Sequence, residues 1–304
     1  IEFLLKEAKK QLVLNDKKHS IIHIFNHNYI VDGKTFDDEP IGVYADQLTH
    51  EMTFITTKKN NLKNIKQALI DCDIEIERFI SRTFTLGVEL LEKKKLQSGS
   101  ALINLEFEKT SFGLFKNLAI VHSITFPIGI NHIIKDISKV CSLNLDESNN
   151  IINNIDFSFK NNSNIFDESD YLKNSYFINS NFRKISKNLI LDVVKARLDE
   201  IIEKLNNQLI LSGVKFSSQL GFALHGGFNL QNIEKYFVNY FGPDLKTLEL
   251  NKIKKNKDIE KNFNACYGAI KIIKDGWETE AIPEKVDKNI DKTGFFAKIF
   301  KFNW

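Results

Sequence analysis

Three short apolar segments separated by polar turns stand out in the middle of the chain. They cover Ala101–Phe107, Ser111–Phe115 and Leu118–Thr125, and their β-branched and aromatic residues suit half-buried strands. The pattern predicts a three-strand meander. Phe126–Gly129 then interrupts it, and apolar residues follow at helical spacing, so a helix with Asn131 as its N-cap is expected next.

Periodic apolar positions predict further elements on both sides of the meander. The strongest is a long helix from Ile185 to Leu211, where apolar residues recur at three- and four-residue intervals. Residues 146–182 are instead rich in Asn, Ser, Asp and Phe, and we expect short strands joined by long polar loops there. The other predicted helices are 1–14, Lys58–Cys72, Phe79–Lys93, Leu230–Phe241 and Asn264–Ile270, and the other strands are Ser20–Val31, Leu48–Thr57 and one that ends at Gly226-Gly227.

Composition narrows the class of protein without identifying it. A chain of 304 residues that is 42% hydrophobic can form two compact domains or one larger unit with two lobes. The 42 basic residues are dispersed among 39 acidic ones, so nucleic acid is not expected as a partner. The chain contains no run of about 20 apolar residues of the kind that crosses a membrane. Because it begins at Ile1 rather than Met, we expect that an N-terminal piece is missing.

The cysteines and histidines give no sign of a metal centre. Cys72, Cys141 and Cys266 are far apart and odd in number, which favours reduced thiols in the core of a cytosolic protein. His23 and His27 lie in a predicted strand, and we interpret them as strand histidines on a half-exposed face, since no carboxylate or cysteine stands at metal-binding spacing. No metal site and no catalytic residue are predicted.

The order strand, strand, strand, helix after residue 99 resembles the start of each half of the actin, Hsp70 and sugar-kinase ATPase fold. Among those proteins the chain is similar to the bacterial cell-division protein FtsA, the membrane tether of the tubulin-like FtsZ. His23–Gly33, Pro40-Ile41-Gly42 and Thr53–Thr56 resemble the subdomain inserted in FtsA, and Leu220–Phe228 resembles the adenosine loop of the superfamily. The resemblance implies an α/β, actin/Hsp70-like (ribonuclease H-like) fold with the FtsA-type inserted subdomain and a C-terminal amphipathic helix.

The resemblance also implies a division of the chain into seven segments. Its first segment would be the C-terminal part of the inserted subdomain, and the others would be a first-lobe helix, two parts of the second-lobe core that flank a peripheral subdomain, a linker and a membrane-binding helix. The boundaries are 1–78, 79–98, 99–144, 145–215 (the peripheral subdomain), 216–277, 278–293 and 294–304.

The nucleotide-binding elements of the family are altered at three places. Where the family has Asp-x-Gly-Gly-Gly-Thr around the phosphates, this chain would direct two carboxylates at them and offers no glycine for close backbone approach. ATP and Mg²⁺, which the resemblance implies as ligands, would therefore be held weakly at most, and we expect no enzymatic hydrolysis. The positions that the resemblance assigns to the nucleotide pocket are Asn104, Glu106, Phe107, Glu108, Lys109, Asn149, His225, Gly226 and Gly227.

Two further sites follow from the resemblance. Arg197 matches an arginine in the subdomain of FtsA that receives the C-terminal peptide of FtsZ, although Ala196 replaces the neighbouring proline; alternatively, Arg197 is an ordinary solvated helix arginine. The end of the chain, 294–304, predicts an amphipathic helix on anionic lipid, the alternative being a terminal element docked on the core. Its membrane-binding residues would be Phe295, Phe296, Lys298, Ile299, Phe300, Lys301, Phe302 and Trp304.

The resemblance therefore implies a cell-division adaptor with an altered nucleotide pocket. Its expected partners are the FtsZ C-terminal peptide, other copies of itself in an actin-like filament, an anionic membrane surface and other division proteins. It would lie on the inner face of the cell membrane at the division site, and several copies in a filament would bind the membrane more tightly than one. The alternatives are an actin-fold scaffold of a type IV pilus platform, similar to PilM, and, ranked last, an actin-fold ATPase or sugar kinase.

Overall fold

The computed structural model describes residues 1–36, 38–155, 170–213, 220–226, 230, 232–242, 245–247 and 263–281. Helices α1 to α9 in this part of the chain cover Glu2–Asn15, Lys59–Ile70, Arg82–Leu90, Lys93–Ser98, Ile130–Cys141, Leu145–Asn154, Lys187–Leu211, Ile233–Phe241 and Asn264–Asp275. Strands β1 to β9 cover His19–Val31, Lys34–Phe36, Leu48–Lys58, Ser100–Leu105, Thr110–Lys116, Ala119–Phe126, Gly221–Gly226, Lys246–Thr247 and Glu280–Ala281.

Two compact units divide the described residues. The first unit contains 1–93, 116–121 and 263–281, and the second contains 94–115 and the described residues from 122 to 247. The first unit is thus assembled from three stretches that are distant in sequence.

Strand β1 is the centre of the sheet in the first unit. It pairs antiparallel with β2, with β3 along most of its length, and with β9, where Phe25 is the partner of Glu280. Ile24 and Phe25 are buried at this crossing. Residues close to the beginning of the chain and residues near 280 therefore share one core.

His23 is fully buried in this core, which corrects the expectation of a half-exposed strand histidine. Its Nε2 accepts a hydrogen bond from the backbone N–H of Ser81 at 2.7 Å, so the ring hydrogen lies on Nδ1, which bonds the Glu280 carboxylate. Arg78 donates to the same carboxylate at 2.5 Å. His27 matches the expectation better: it is half-buried and lies 3.2 Å from Thr53 Oγ1.

Helices α3 and α9 of the first unit cross at direct backbone contact. A Cβ at Gly268 of α9 would overlap the carbonyl group of Thr85 in α3, so only glycine fits there. After α9 the chain is held by Trp277, whose indole N–H donates to the Leu118 carbonyl oxygen at 2.6 Å and whose ring packs edge-on against Phe84.

The second unit is built on a mixed sheet in the order β6-β5-β4-β7-β8. Strands β4, β5 and β6 form the predicted meander, and β4 also pairs parallel with β7. Helix α7 confirms the long predicted helix within two residues, and it buries the expected apolar seam. The buried seam residues are Leu191, Val194, Leu198, Ile201 and Leu205.

The prediction of short strands after residue 145 is wrong for the described residues. Asn144 Oδ1 accepts the Glu147 N–H at 2.7 Å while Glu147 Oε2 accepts the Asn144 N–H at 3.1 Å, and this capping box begins helix α6. Between 170 and 186 the structure has a short 3₁₀ turn and an isolated bridge between Tyr171 and Ser186. The described residues after 145 are therefore held by the helix cap at Asn144 and by hydrogen bonds from the backbone of 178–180 to Glu147, rather than by paired strands.

The cysteines lie in two kinds of environment. Cys141 is buried, and burial raises the pKa of its thiol. Cys72 and Cys266 are exposed, so the expectation of three core thiols is correct only for Cys141. All three are unpaired.

Candidate functional site

Three of the residues that the resemblance assigns to a nucleotide pocket meet at the carboxyl ends of β4 and β7, namely Asn104, Glu106 and His225. Asn104 and His225 are direct partners in the parallel register, and both side chains are buried. Asn104 Nδ2 donates to Glu106 Oε1 at 2.7 Å, which leaves Asn104 Oδ1 to accept from His225 Nδ1 at 2.7 Å. The three side chains form a continuous polar chain.

The turn between β4 and β5 is closed against the beginning of α5. The N–H of Ile130 donates to Glu106 O at 3.0 Å, and the N–H of Asn131 donates to Phe107 O at 2.8 Å. Gly129 is required because a Cβ there would overlap the same turn. Gly129, not Asn131, is the N-cap of α5, which corrects the sequence prediction, and the Gly129 N–H is bonded to His132 Nδ1 at 3.2 Å.

Two carboxylates and one ammonium group set the charge of this turn. Glu108 accepts a hydrogen bond from Asn131 Nδ2 at 2.6 Å, and Lys109 Nζ lies 3.7 Å from Glu106 Oε2. Phe107 between them is exposed. Lys109 therefore offsets one of the two carboxylates, and the turn keeps a net negative charge.

Gly226 ends β7 with a backbone conformation that favours glycine. Its φ is 84°, and a Cβ would overlap the carbonyl group of Leu105 across the parallel pair. Gly227 lies outside the described residues. The glycine at 226 thus has a structural reason that is independent of any ligand.

This arrangement does not fit the phosphates of a nucleotide. Phosphate binding relies on backbone N–H groups at a helix start or a glycine-rich loop. Here the first two backbone N–H groups of α5 already donate to carbonyl oxygens of the turn. The carboxylates of Glu106 and Glu108 would repel the negatively charged phosphates. Asn149, the third altered position, lies half-buried on a separate element, α6.

Among the described residues of this unit, Glu147 is the carboxylate with the most hydrogen bonds, and the sequence analysis did not identify it. Its Oε1 accepts three consecutive backbone N–H groups, from Ile178, Asn179 and Ser180, at 2.7 to 2.8 Å. Its Oε2 accepts the Ser180 hydroxyl at 2.6 Å as well as the Asn144 N–H. Burial by itself would raise the pKa of Glu147, but the hydrogen bonds outweigh it and lower the pKa to about 2. Only the capping-box spacing from Asn144 could have pointed to this residue.

Arg197 is not the solvated helix arginine of the second interpretation. Its Nε and Nη2 donate to the two carboxylate oxygens of Asp136 at 2.7 and 3.0 Å, and its Nη1 bonds Glu200. Hydrogen bonding to Asp136 raises the pKa of the guanidinium. This bidentate pair joins α5 to α7 and fixes the orientation of the guanidinium.

The predicted membrane-binding helix at 294–304 and residues 282–293 of the predicted linker lie outside the described residues. The first residues of that linker, 278–281, are described, and they correct the prediction, because Glu280 and Ala281 form β9 and pair with β1. Within the part of the chain that the structure describes, none of the helices has the length and apolar character needed to cross a membrane. The same residues contain no group of three or more histidine, cysteine or acidic side chains placed to hold a metal ion.

Comparison with curated proteins gives a consistent set of relatives. FtsA of Buchnera aphidicola subsp. Acyrthosiphon pisum is 24% identical over an alignment 319 positions long, and the alignment covers 100% of this chain and 73% of that protein. FtsA of Bacillus subtilis is 24% identical over 220 residues, or 71% of this chain and 48% of that protein. The chain is similar to the cell-division protein FtsA. FtsA of Agrobacterium fabrum adds 22% identity over 69% of this chain and 47% of that protein, so the aligned region spans about half the length of two of these relatives. No protein-family model matches the chain.

Solved structures with a similar fold support the same comparison. MreB 5 of Spiroplasma citri bound to AMPPNP gives a TM-score of 0.52 with 15% identity, over 72% of this chain and 66% of that one. The PilM-PilN type IV pilus biogenesis complex gives a TM-score of 0.58 with 11% identity, over 87% and 70%. These similarities confirm the predicted actin-like α/β fold.

Proposed function

We propose that this FtsA relative is a non-enzymatic cell-division adaptor that links FtsZ filaments to the inner face of the cell membrane and associates with other copies of itself. The observation that carries the proposal is the similarity to FtsA over the whole chain, in a protein with an actin-like fold. The FtsZ C-terminal peptide would bind the second unit near Arg197, and residues 294–304 would bind lipid.

The surroundings of Arg197 support a role in binding a peptide. A guanidinium carries five N–H donors, and Asp136 and Glu200 occupy three of them. The remaining donors are held in a fixed direction because the bidentate pair with Asp136 orients the group. A carbonyl oxygen of a peptide would then meet a preoriented donor, and Arg197 would lose little side-chain entropy on binding.

The cluster at Asn104, Glu106 and His225 supports the non-enzymatic part of the proposal. In an ATPase of this fold, hydrolysis needs groups that hold the phosphates and position a water molecule. In this chain the corresponding polar groups bond one another, and the turn carries carboxylates. We expect no phosphate release above background when the protein is incubated with Mg²⁺ and ATP, and measurable turnover would refute this part.

Peptide binding is the first test. Fluorescence anisotropy of a labelled FtsZ C-terminal peptide should show saturable binding to the full chain, and Arg197→Glu should weaken it about tenfold or more, since loss of a central arginine contact commonly costs that much. Lys195→Glu makes the same charge change on the same helix and should bind nearly as well as the unchanged protein. Circular dichroism would verify that each variant is folded. Equal binding by the Arg197 and Lys195 variants would exclude the assigned site.

Membrane binding needs a separate test because it depends on 294–304. The full chain should sediment with vesicles that contain anionic lipid, and Phe296→Asp combined with Phe300→Asp should abolish this, because charged residues do not enter the apolar part of a bilayer. Co-sedimentation that survives the double change would reject the assigned tail.

The similarity to the PilM-PilN complex favours one second candidate. A PilM-like scaffold would share the fold but would bind a peptide from a pilus membrane protein instead of FtsZ. The peptide titration separates the two candidates: a folded protein that shows no affinity for the FtsZ peptide would favour the scaffold.

A further inference from the structure

An exposed apolar loop connects β2 to β3 in the first unit. At its tip Ile41, Val43 and Tyr44 are 81%, 47% and 100% exposed. The loop covers 38–47, and hydrogen bonds anchor the end that leads into β3. There Asp32 Oδ1 accepts the N–H groups of Asp46 and Gln47 at 3.1 and 2.8 Å. A loop that is anchored at its base and carries large apolar side chains at its tip is suited to contact another molecule.

Helix α9 of the same unit carries a second exposed apolar surface. Tyr267, Ile270 and Ile273, which form the outer face of α9, are 47%, 58% and 64% exposed. Gly268 and Ile272 on the opposite side are buried, Gly268 in contact with α3. The helix is therefore apolar on both sides, although only one side is covered by the unit to which it belongs.

The charges around the two surfaces are complementary. The apolar loop carries the acidic residues Asp38, Glu39 and Asp46, whereas the exposed Lys274 follows Ile273 on α9. Glu89 offsets the charge of Lys271 at 2.7 Å, and Asp275 follows the buried Gly268 and Ile272 at helical spacing, so Lys274 supplies the positive charge beside the outer face. Both surfaces are exposed in one unit, so they do not cover each other within a single chain.

From this complementarity we infer that the apolar loop of one copy docks on the outer face of α9 in a second copy of this chain. The contact is heterologous, because each copy contributes a different surface and leaves one of each uncovered. Further copies can then add in the same direction. This inference rests on the proposed self-association and names the surfaces that carry it.

Sedimentation velocity of the full chain over a range of concentrations tests the contact. Tyr44→Asp and Ile270→Asp should each raise the dissociation constant about tenfold or more, because each puts a charge at a buried apolar anchor. Ile65→Asp changes an equally exposed isoleucine on α2 and should leave association unchanged. The measurements are repeated with Phe296→Asp and Phe300→Asp in every chain, so that association through the tail is removed.

Mixing the two interface variants gives a sharper result. The Tyr44→Asp chain keeps an intact α9 and the Ile270→Asp chain keeps an intact loop, so an equal mixture should form dimers and nothing larger. A symmetric interface would differ in two ways: the unchanged protein would stop at a dimer, and mixing would restore one of its two equivalent contacts. In the same way, Asp46→Lys and Lys274→Glu should each weaken association, and one chain that carries both changes should recover much of it.

The outcomes separate the contact from the proposed function. If the substitutions at Tyr44 and Ile270 and the charge reversals leave the dissociation constant unchanged, the contact is overturned while the adaptor proposal stays in place. If the interface variants lose their effect on association once Phe296→Asp and Phe300→Asp are present, then 294–304 rather than a second copy covers α9. That result would also overturn the contact. A chain that binds the FtsZ peptide but stays monomeric at all concentrations would overturn both the contact and the self-association in the proposal.

Discussion

Replacing Glu147 with glutamine keeps the shape of a buried side chain but removes the charge that holds 178–180 against α6. Four of its five hydrogen bonds can be kept in weaker form, while the Asn144 N–H would face the new amide group instead of an acceptor. Each of the four retained hydrogen bonds loses about 0.5 kcal/mol when its acceptor is no longer charged, and the unpaired Asn144 N–H costs about 1 kcal/mol. The free energy that holds 178–180 against α6 therefore falls by about 3 kcal/mol.

Hydrogen exchange measured by mass spectrometry gives the local readout for this change. A loss of about 3 kcal/mol corresponds to exchange roughly 100-fold faster in peptides that contain 178–180. Asp146→Asn is the matched control, because Asp146 is an exposed acid in the same first turn of α6. Exchange that stays within about threefold of the unchanged protein, or an equal effect of the control, would refute the assignment.

The same carboxylate also predicts a pH dependence. The pKa of Glu147 is lowered from 4.5 to about 2 in the folded chain, so its contribution to stability is complete above pH 4.5. The contribution declines as the pH falls from 4.5 towards 2, because the unfolded chain takes up the proton first. The glutamine variant should lack this part of the acid destabilisation, and parallel urea-unfolding profiles between pH 2 and 5 for the two proteins would contradict it.

Three further predictions concern other contacts. Gly268→Ala should lower the free energy of unfolding by about 3 kcal/mol in urea titrations, because the new methyl group meets the Thr85 carbonyl; an unchanged midpoint would show that α3 and α9 are not in backbone contact. Tyr236→Phe removes one of two hydroxyl groups that donate to Asp199 at 2.6 Å and should cost about 1–2 kcal/mol, and no thermal shift would argue against the bond. Burial lowers the pKa of His50 from 6.5 to about 4, so folding loses stability as the pH falls through this range, and His50→Phe should reduce that loss in thermal melts.

Local patterns predicted the meander and the long helix of the second unit well, but not helix α6. The meander β4–β6 and helix α7 were placed within a few residues, because alternation and helical spacing are decided by neighbours in sequence. The start of α5 was missed for a physical reason: Asn131 is a good cap in isolation, but the β4–β5 turn takes the first donors and requires glycine at 129.

Pairings between distant residues were not predictable from the same patterns. His23 and Glu280 are 257 positions apart, and nothing near His23 indicates that it will be buried against a carboxylate. Arg197 was assigned by resemblance, yet its bidentate partner Asp136 lies 61 positions away on another helix. The pocket positions Asn104 and His225 were also named by resemblance, but the bond between them follows from the parallel register of β4 and β7.

The position of β1 has a consequence for synthesis on the ribosome. Its partners Glu280 and Ala281 emerge about 257 residues after His23, which at roughly 5–20 residues per second is a delay of about 10–50 s. During that time β9 is not yet available to pair with β1, and α9 is not yet available to pack on α3. We expect nascent chains stalled before residue 264 to be cleaved by protease within β1, and chains released after residue 281 to be protected there.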